Sequence, residues 1–328
     1  MNTDEVTAAL GRLYGPDDWP APFHVLRGLQ LIRGGAAAGD AARRARTTTR
    51  RIENLERAAD PIAELIGATS RDIQHEHRSG ARQALAQLLV GRATEAAFEE
   101  FYRKEMGSQE FELRDLRESR TDTDYRLLNG RQRPLYRINI KFIGSSFRRA
   151  PELVGLEPDD CFPLATYKIF NALKKQEQEH LPYIFLVVFV RTLNVELIGS
   201  HIPAEFVEFM GLLRASAKSG LSRRNIEDRV VDRMVRERTA AFSMTYDAVK
   251  AAAWYVLSAR KADNLLRGLL FDRVYALKIR GFAQQFRRAE LDMHFSLKDD
   301  LVALRQFLET LREQGQTVVA SMLERGTV

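Results

Sequence analysis

Apolar residues change their period along the chain, and the changes mark elements. From Ser79 to Met106 they recur at helical spacing, with Ala84, Leu85, Leu88, Leu89, Ala96, Ala97, Phe98, Phe101 and Tyr102 forming one broad stripe. Gly91 interrupts that stripe and Gly107 supplies a stop. Between Phe111 and Phe142 the period falls to two: "EFEL", "DYRLLNG" and "LYRINIKF" alternate, which predicts three strands. Asn129-Gly130 between the last two runs is a hairpin signal, with "RQRP" extending the turn. A loop carrying Pro151, Pro158 and Pro163 leads to the amphipathic "LATYKIFNALKKQEQ". "YIFLVVFV" then reads as a strand buried on both faces, because it has no polar position.

The flanks read differently. Residues 1 to about 40 mix Gly, Pro and Ala without a period, and from Ala41 to about Thr69 an Arg-rich helix carries Ile52, Leu55, Ile62 and Leu65, broken near Pro61. From Ile202 to the end the pattern is helical almost throughout, with Trp254, Tyr255, Phe271, Tyr275, Phe282 and Phe286 as core aromatics. The expectation is a mixed α+β or α/β protein. It has a helical N-terminal segment over 1–78, an αβββαβ core over 79–200 and a helical recognition or dimerisation domain over 201–328.

Composition narrows the setting. The longest apolar run, Ile184 to Val190, is far short of the roughly 20 residues a spanning helix needs, so no membrane span is expected. No basic start followed by an apolar core marks a secretory signal, and the single Cys161 leaves no intrachain disulfide or cysteine-based zinc site. A cytoplasmic setting is expected. The net charge of +6, carried largely by arginine, favours a polyanionic partner through bidentate phosphate contacts.

Candidate chemistry lies in the hairpin. Asp124 opens its first strand, and Asn139 and Lys141, two apart on the second, share a face. Antiparallel pairing carries Asp124 to them at one end of the sheet. An acid, an oxygen donor and a lysine suit Mg²⁺-assisted phosphodiester hydrolysis. The hard cation takes oxygen ligands and acidifies the attacking water, and the ammonium stabilises charge on the phosphate. His75 and His77 in "QHEH" have no evident third ligand and read as surface polar residues.

Asp124 in "TDTDYRLL" and Asn139-Ile140-Lys141 in "RINIKF" follow the helix "GRATEAAFEEFY" and precede "LATYKIFNAL" and "YIFLVVFV". That succession resembles the PD-(D/E)XK nuclease superfamily, with its restriction-endonuclease-like fold, over residues 80–195. The resemblance implies a DNA endonuclease of restriction or phage defence, using Mg²⁺ (or Mn²⁺); cleavage of both strands would favour a homodimer by symmetry. It makes Asp124 the main metal ligand, Lys141 the catalytic lysine and the Ile140 carbonyl a further ligand. Glu95, ahead of Glu99, would supply the helix carboxylate, and Asp122 is a second-choice ligand. Asn139 departs from the pattern, which usually has Glu or Asp there; its amide oxygen can coordinate a cation but adds no charge. The alternative is a catalytically inactive derivative that binds nucleic acid or a partner protein. In "FIGSSFRR", Ser145, Ser146, Arg148 and Arg149 offer a phosphate-holding loop.

Overall fold

The computed structural model describes residues 3–15, 19, 23–62, 64–65, 81–106, 110–117, 123–144, 146–148, 150–190, 193–216, 223–268, 278–279 and 291–325. In chain order its strands are β1 (Phe111–Asp115), β2 (Tyr125–Asn129), β3 (Pro134–Ile143), β4 (Cys161–Ala165), β5 (Tyr183–Phe189), β6 (Ala253–Ser258), β7 (Lys278–Ile279), β8 (Leu291–Ser296) and β9 (Val302–Ala303). With the helices they make a mixed α+β protein that divides into two compact units. One comprises Met1–His75, Arg148–His180 and Ala259–Leu297, the other Glu76–Phe147, Leu181–Ser258 and Lys298–Val328. Both units are discontinuous in sequence.

The second unit is built on a mixed six-stranded sheet in the order β1-β2-β3-β5-β6-β9. β1, β2 and β3 pair antiparallel, β3 and β5 run parallel, and β6 pairs antiparallel with both β5 and β9. One sheet face, with Tyr125, Leu127, Ile138, Leu186, Val188 and Val256, packs in the same buried cluster as Leu85, Leu89, Ala93, Ala97 and Phe98 of the helix Ala81–Glu105. That helix runs unbroken through Gly91, because the apolar stripe continues on both sides and a glycine costs only about 1 kcal/mol against such burial. Every residue of β5 is buried, as its unbroken apolar run requires.

The hairpin departs from a two-residue turn. Asn129 Oδ1 accepts from the backbone N–H groups of Arg131 and Arg133, and the left-handed residue is Gln132 (φ 60°), not Gly130. An Asx side chain closing its own loop replaces the tight turn. The register slips between Leu127 and Leu128, and it is this shifted register that pairs Tyr125 with Ile138.

The segment 201–328 is not helical throughout. Helices Ala204–Ser216, Arg223–Arg236 and Ala240–Lys250 are present, but β6, β7, β8 and β9 also fall there. The run "WYVL" is β-prone, and an apolar run this short carries no period of its own. Its neighbours on either side are helical, and sheet pairing decides between the two. Of the aromatics expected in that core, Trp254 is buried, whereas Phe271, Tyr275, Phe282 and Phe286 lie outside the described residues.

The first unit holds a three-stranded antiparallel sheet, β4-β8-β7. β4 lies in the region expected to be loop. Its Pro163 has no N–H to donate, which an edge strand tolerates. The helix expected from Ala41 is two helices, Ala38–Arg44 and Thr49–Glu56. The chain turns between them through Arg46 (φ 54°), and the Thr48 hydroxyl caps the second by accepting from Arg51 N at 3.3 Å. His75 and His77 lie outside the described residues. No helix among the described residues is long and apolar enough to cross a membrane.

A surface cluster on the 81–105 helix yields a pH prediction. Glu100 accepts from Lys104 (2.8 Å), Tyr246 and Lys250 (3.0 Å). Those bonds, that from Lys104 foremost, hold its carboxyl down at about 2, against an ordinary value of 4.5. A lowered folded value contributes stability above pH 4.5 that is lost as pH falls toward 2. Glu100→Gln is expected to flatten the slope of thermal midpoint against pH in that window. An unchanged slope would remove Glu100 from the acid response.

Candidate functional site

β1 and β2 pair one step beyond their formal ends, where the Leu116 N–H donates to the Asp124 carbonyl at 3.0 Å. This fixes Asp124 at the head of β2, beside the middle of β3. Its Oδ2 accepts from the Ile140 N–H at 2.6 Å and from Asn139 Nδ2 at 3.0 Å. Asn139 Oδ1 accepts from Lys141 Nζ, which also donates to the Ile140 carbonyl at 3.0 Å. The ammonium lies 6.0 Å from the centre of the Phe185 ring on β5, at the outer range of a cation–π contact. Asp124, Asn139, Ile140 and Lys141 therefore converge as the sequence suggested.

The geometry gives Asn139 a reason. Its amide faces an acceptor on one side and a donor on the other, and only one orientation of the group serves both. A carboxylate at this position would set a second negative charge against Asp124 and forfeit the bond that Asn139 donates.

The two glutamates of the 81–105 helix are held by arginines. Glu95 Oε2 accepts from Arg117 Nη1 at 2.7 Å and from Arg92 Nη1 at 3.1 Å. Arg92 also pairs with Asp228 (3.2 Å) and Asp232 (3.7 Å). Glu99 Oε1 accepts from Arg117 Nη2 at 2.8 Å and from the Tyr125 hydroxyl at 2.7 Å. Arg117 is completed by Asp115, whose Oδ1 accepts from its Nε at 2.8 Å, and it stacks 5.0 Å over the Tyr125 ring. Burial pushes the Glu95 carboxyl above its usual range; Arg117 and Arg92 pull it back in part, and the nearby Asp124 charge adds to the rise. Burial opposes charge on Arg117, but its bonds to Asp115 and Glu95 outweigh this and raise its pKa.

Arg117 escapes a reading of the sequence because it stands in an ordinary charged run, and Arg92 because it is a lone arginine in an apolar helical stretch. Only the packing of β1 against the helix brings residue 117 to residues 95 and 99. Asp122, Ser145 and Arg149 lie outside the described residues. Ser146 is half-buried just after β3, and Arg148 is exposed and belongs to the other unit.

Among the described residues no group of three or more His, Cys, Asp or Glu side chains is placed to hold a metal ion. The oxygens that do gather are the Asp124 carboxylate, the Asn139 amide and the Ile140 carbonyl. All are hard donors of the kind Mg²⁺ and Mn²⁺ take, so the set fits such an ion chemically, with low charge. Lys141 engages the Asn139 and Ile140 oxygens, and Glu95 on the helix is held by Arg117 and Arg92. Comparison with protein-family models, with curated proteins and with solved structures returns no match.

Proposed function

We propose that the chain is a Mg²⁺-dependent DNA endonuclease of the PD-(D/E)XK type, acting in restriction or phage defence. The observation that carries this is the convergence of Asp124, Asn139 and Lys141 where β2 meets β3. The order of elements supports it: a helix, three antiparallel strands, and β5 parallel to β3 after a helical crossover. The net charge of +6 suits a nucleic acid.

In this reading Asp124, Glu95, the Asn139 amide oxygen and the Ile140 carbonyl hold the cation, with Glu99 and Asp122 as reserve carboxylates. When bound, the cation supplies an acidified water and neutralises charge on the phosphate. Asn139 keeps Asp124 oriented through its donated bond. Lys141, moved off the two oxygens it now touches, donates to the phosphate or holds a proton of the attacking water. Ser146, just after β3, would contribute to holding the phosphate backbone. Cutting both strands of a duplex calls for a symmetric homodimer. The setting is cytoplasmic.

One observation favours a second reading, in which the fold binds nucleic acid without cutting it. Lys141 and Arg117 already occupy the donor oxygens. Plasmid DNA incubated with the protein separates the two. The endonuclease yields nicked or linear product with Mg²⁺ or Mn²⁺, none with a chelator, and none from Asp124→Asn. Salt-sensitive binding that Mg²⁺ leaves unchanged, with intact plasmid throughout, supports the second reading and sinks the first.

A further inference from the structure

We propose that residues 24–57 form a helix-turn-helix that places the helix Thr49–Glu56 in the major groove of duplex DNA. This recognition module lies wholly in the first unit. The inference holds whether or not the chain cuts the DNA it binds.

The local sequence builds the motif. The helix Ala38–Arg44 stops in a Schellman motif: the Arg46 N–H donates to the Arg43 carbonyl at 3.1 Å, and the Thr47 N–H to the Ala42 carbonyl at 2.9 Å. Arg46 supplies the left-handed residue that this turn requires, a position glycine often takes. The chain then enters Thr49–Glu56 through the Thr48 cap, so only Ala45–Thr48 separate the two helices. The helix His24–Arg33 packs against both. It comes so close at Gly28 that a Cβ there would collide with the Ile52 side chain. Ala41, Ala42, Ala45, Ile52 and Leu55 are all buried. Small and aliphatic residues thus fill the inward positions, and a turn bonded at both ends fixes the second helix against the first.

What stays outside is basic. Arg50, Glu53, Asn54 and Arg57 recur at helical spacing, and all four are exposed, whereas Ile52 and Leu55 between them are buried. Arg44 and Arg46, on the preceding helix and the turn, are exposed as well. Among the described residues no ion pair engages Arg44, Arg46 or Arg50. Six arginines stand against three carboxylates over residues 38–57, so half of the chain's net +6 sits in that stretch. Of the three, Asp40 is engaged by Arg43, and Glu53 lies 3.8 Å from Arg57. Phosphates complement this surplus, and the residue types suit base edges. The Arg50 fork fits guanine O6 and N7, the Asn54 amide fits adenine N6 and N7, and Glu53 can accept from cytosine N4. Arg50 and Asn54 stand one turn apart, with Arg50 in the first turn, the part of a recognition helix that reads bases. Arg44 and Arg46 precede it, where such a motif meets the phosphate backbone.

The test is binding of the full chain to DNA duplexes with a randomised centre, in a chelator so that no strand is cut. Repeated selection is expected to enrich one sequence, whose affinity is then read by fluorescence anisotropy. Arg50→Ala and Asn54→Ala are each expected to lose about tenfold to a hundredfold on that sequence and to relax the preference at one position. Arg50→Lys, which keeps the charge but loses the fork, is expected to hold its affinity for unselected duplexes and lose the preference. Arg46→Ala is expected to weaken binding to every duplex alike and to lessen the slope of log affinity against log salt by about one. Failure to enrich any sequence overturns the inference, as does a selected-sequence affinity that survives both Arg50→Ala and Asn54→Ala. Duplex RNA bound as tightly as the selected DNA also overturns it, because the narrow A-form major groove does not admit a helix. Plasmid left intact in Mg²⁺ while selective binding persists fails the nuclease reading and leaves this one standing.

Discussion

On the endonuclease proposal, replacing Lys141 by alanine is expected to slow Mg²⁺-dependent plasmid cleavage by about 10²–10³-fold, the loss seen when one preorganised donor to developing charge is removed. The same change is expected to leave Mn²⁺ binding intact or tighter. Lys141 places its ammonium on Asn139 Oδ1 and on the Ile140 carbonyl, two of the oxygens a cation would take. Deleting it removes a competitor from the metal side while removing a donor from the phosphate side. The two effects have opposite signs and are read separately, the first from initial rates at saturating metal and the second from free Mn²⁺ without DNA. Cleavage at the parent rate would end the catalytic role assigned to Lys141. Weaker Mn²⁺ binding would mean the lysine supports the donor oxygens instead of blocking them.

How much of this was legible in the sequence depends on how far apart the partners lie. Asp124, Asn139 and Lys141 sit on two consecutive strands joined by a short loop, so alternation and hairpin pairing suffice to bring them together. The helix bearing Glu95 was readable from its period and β5 from its unbroken apolar run. The grip of Arg117 on Glu95 and Glu99 was not, because nothing in a charged run encodes which helix a strand end will meet. β6 was hidden by its helical neighbours. The two interleaved units were hidden for a different reason: the chain leaves the second unit after Phe147 and returns at Leu181, and only the parallel pairing of β3 with β5 reveals the return. Asn139 is the instructive case. As a letter in a motif it is a missing carboxylate; in place it is the donor that fixes Asp124 and the acceptor that fixes Lys141.

Phe98→Ala is expected to destabilise the protein by about 3–5 kcal/mol, the range for deleting a fully buried phenylalanine. That is a large part of the roughly 5–15 kcal/mol by which a domain is stable. Phe98 is 1% exposed, and its ring meets Tyr125 edge-on at 5.5 Å, with Tyr102 and Trp254 each at 6.2 Å. Three large rings cannot close over the space it leaves without moving, so the cavity cost adds to the lost burial. The change should also reach the site. Tyr125 follows Asp124 directly, its hydroxyl bonds Glu99, and its ring lies under Arg117. A Tyr125 ring without Phe98 behind it no longer fixes that guanidinium, and Mn²⁺ affinity should change well below the unfolding transition. Leu311→Ala, deleting a buried leucine from the same core on a different helix, should cost about 2–5 kcal/mol and leave Mn²⁺ affinity alone. Urea unfolding measures the stability term, and the free Mn²⁺ signal in electron paramagnetic resonance measures the other. A Phe98→Ala loss below about 1 kcal/mol would be incompatible with the burial of that ring. Identical Mn²⁺ affinities for the two variants would mean that the aromatic cluster supports the fold without positioning the carboxylates.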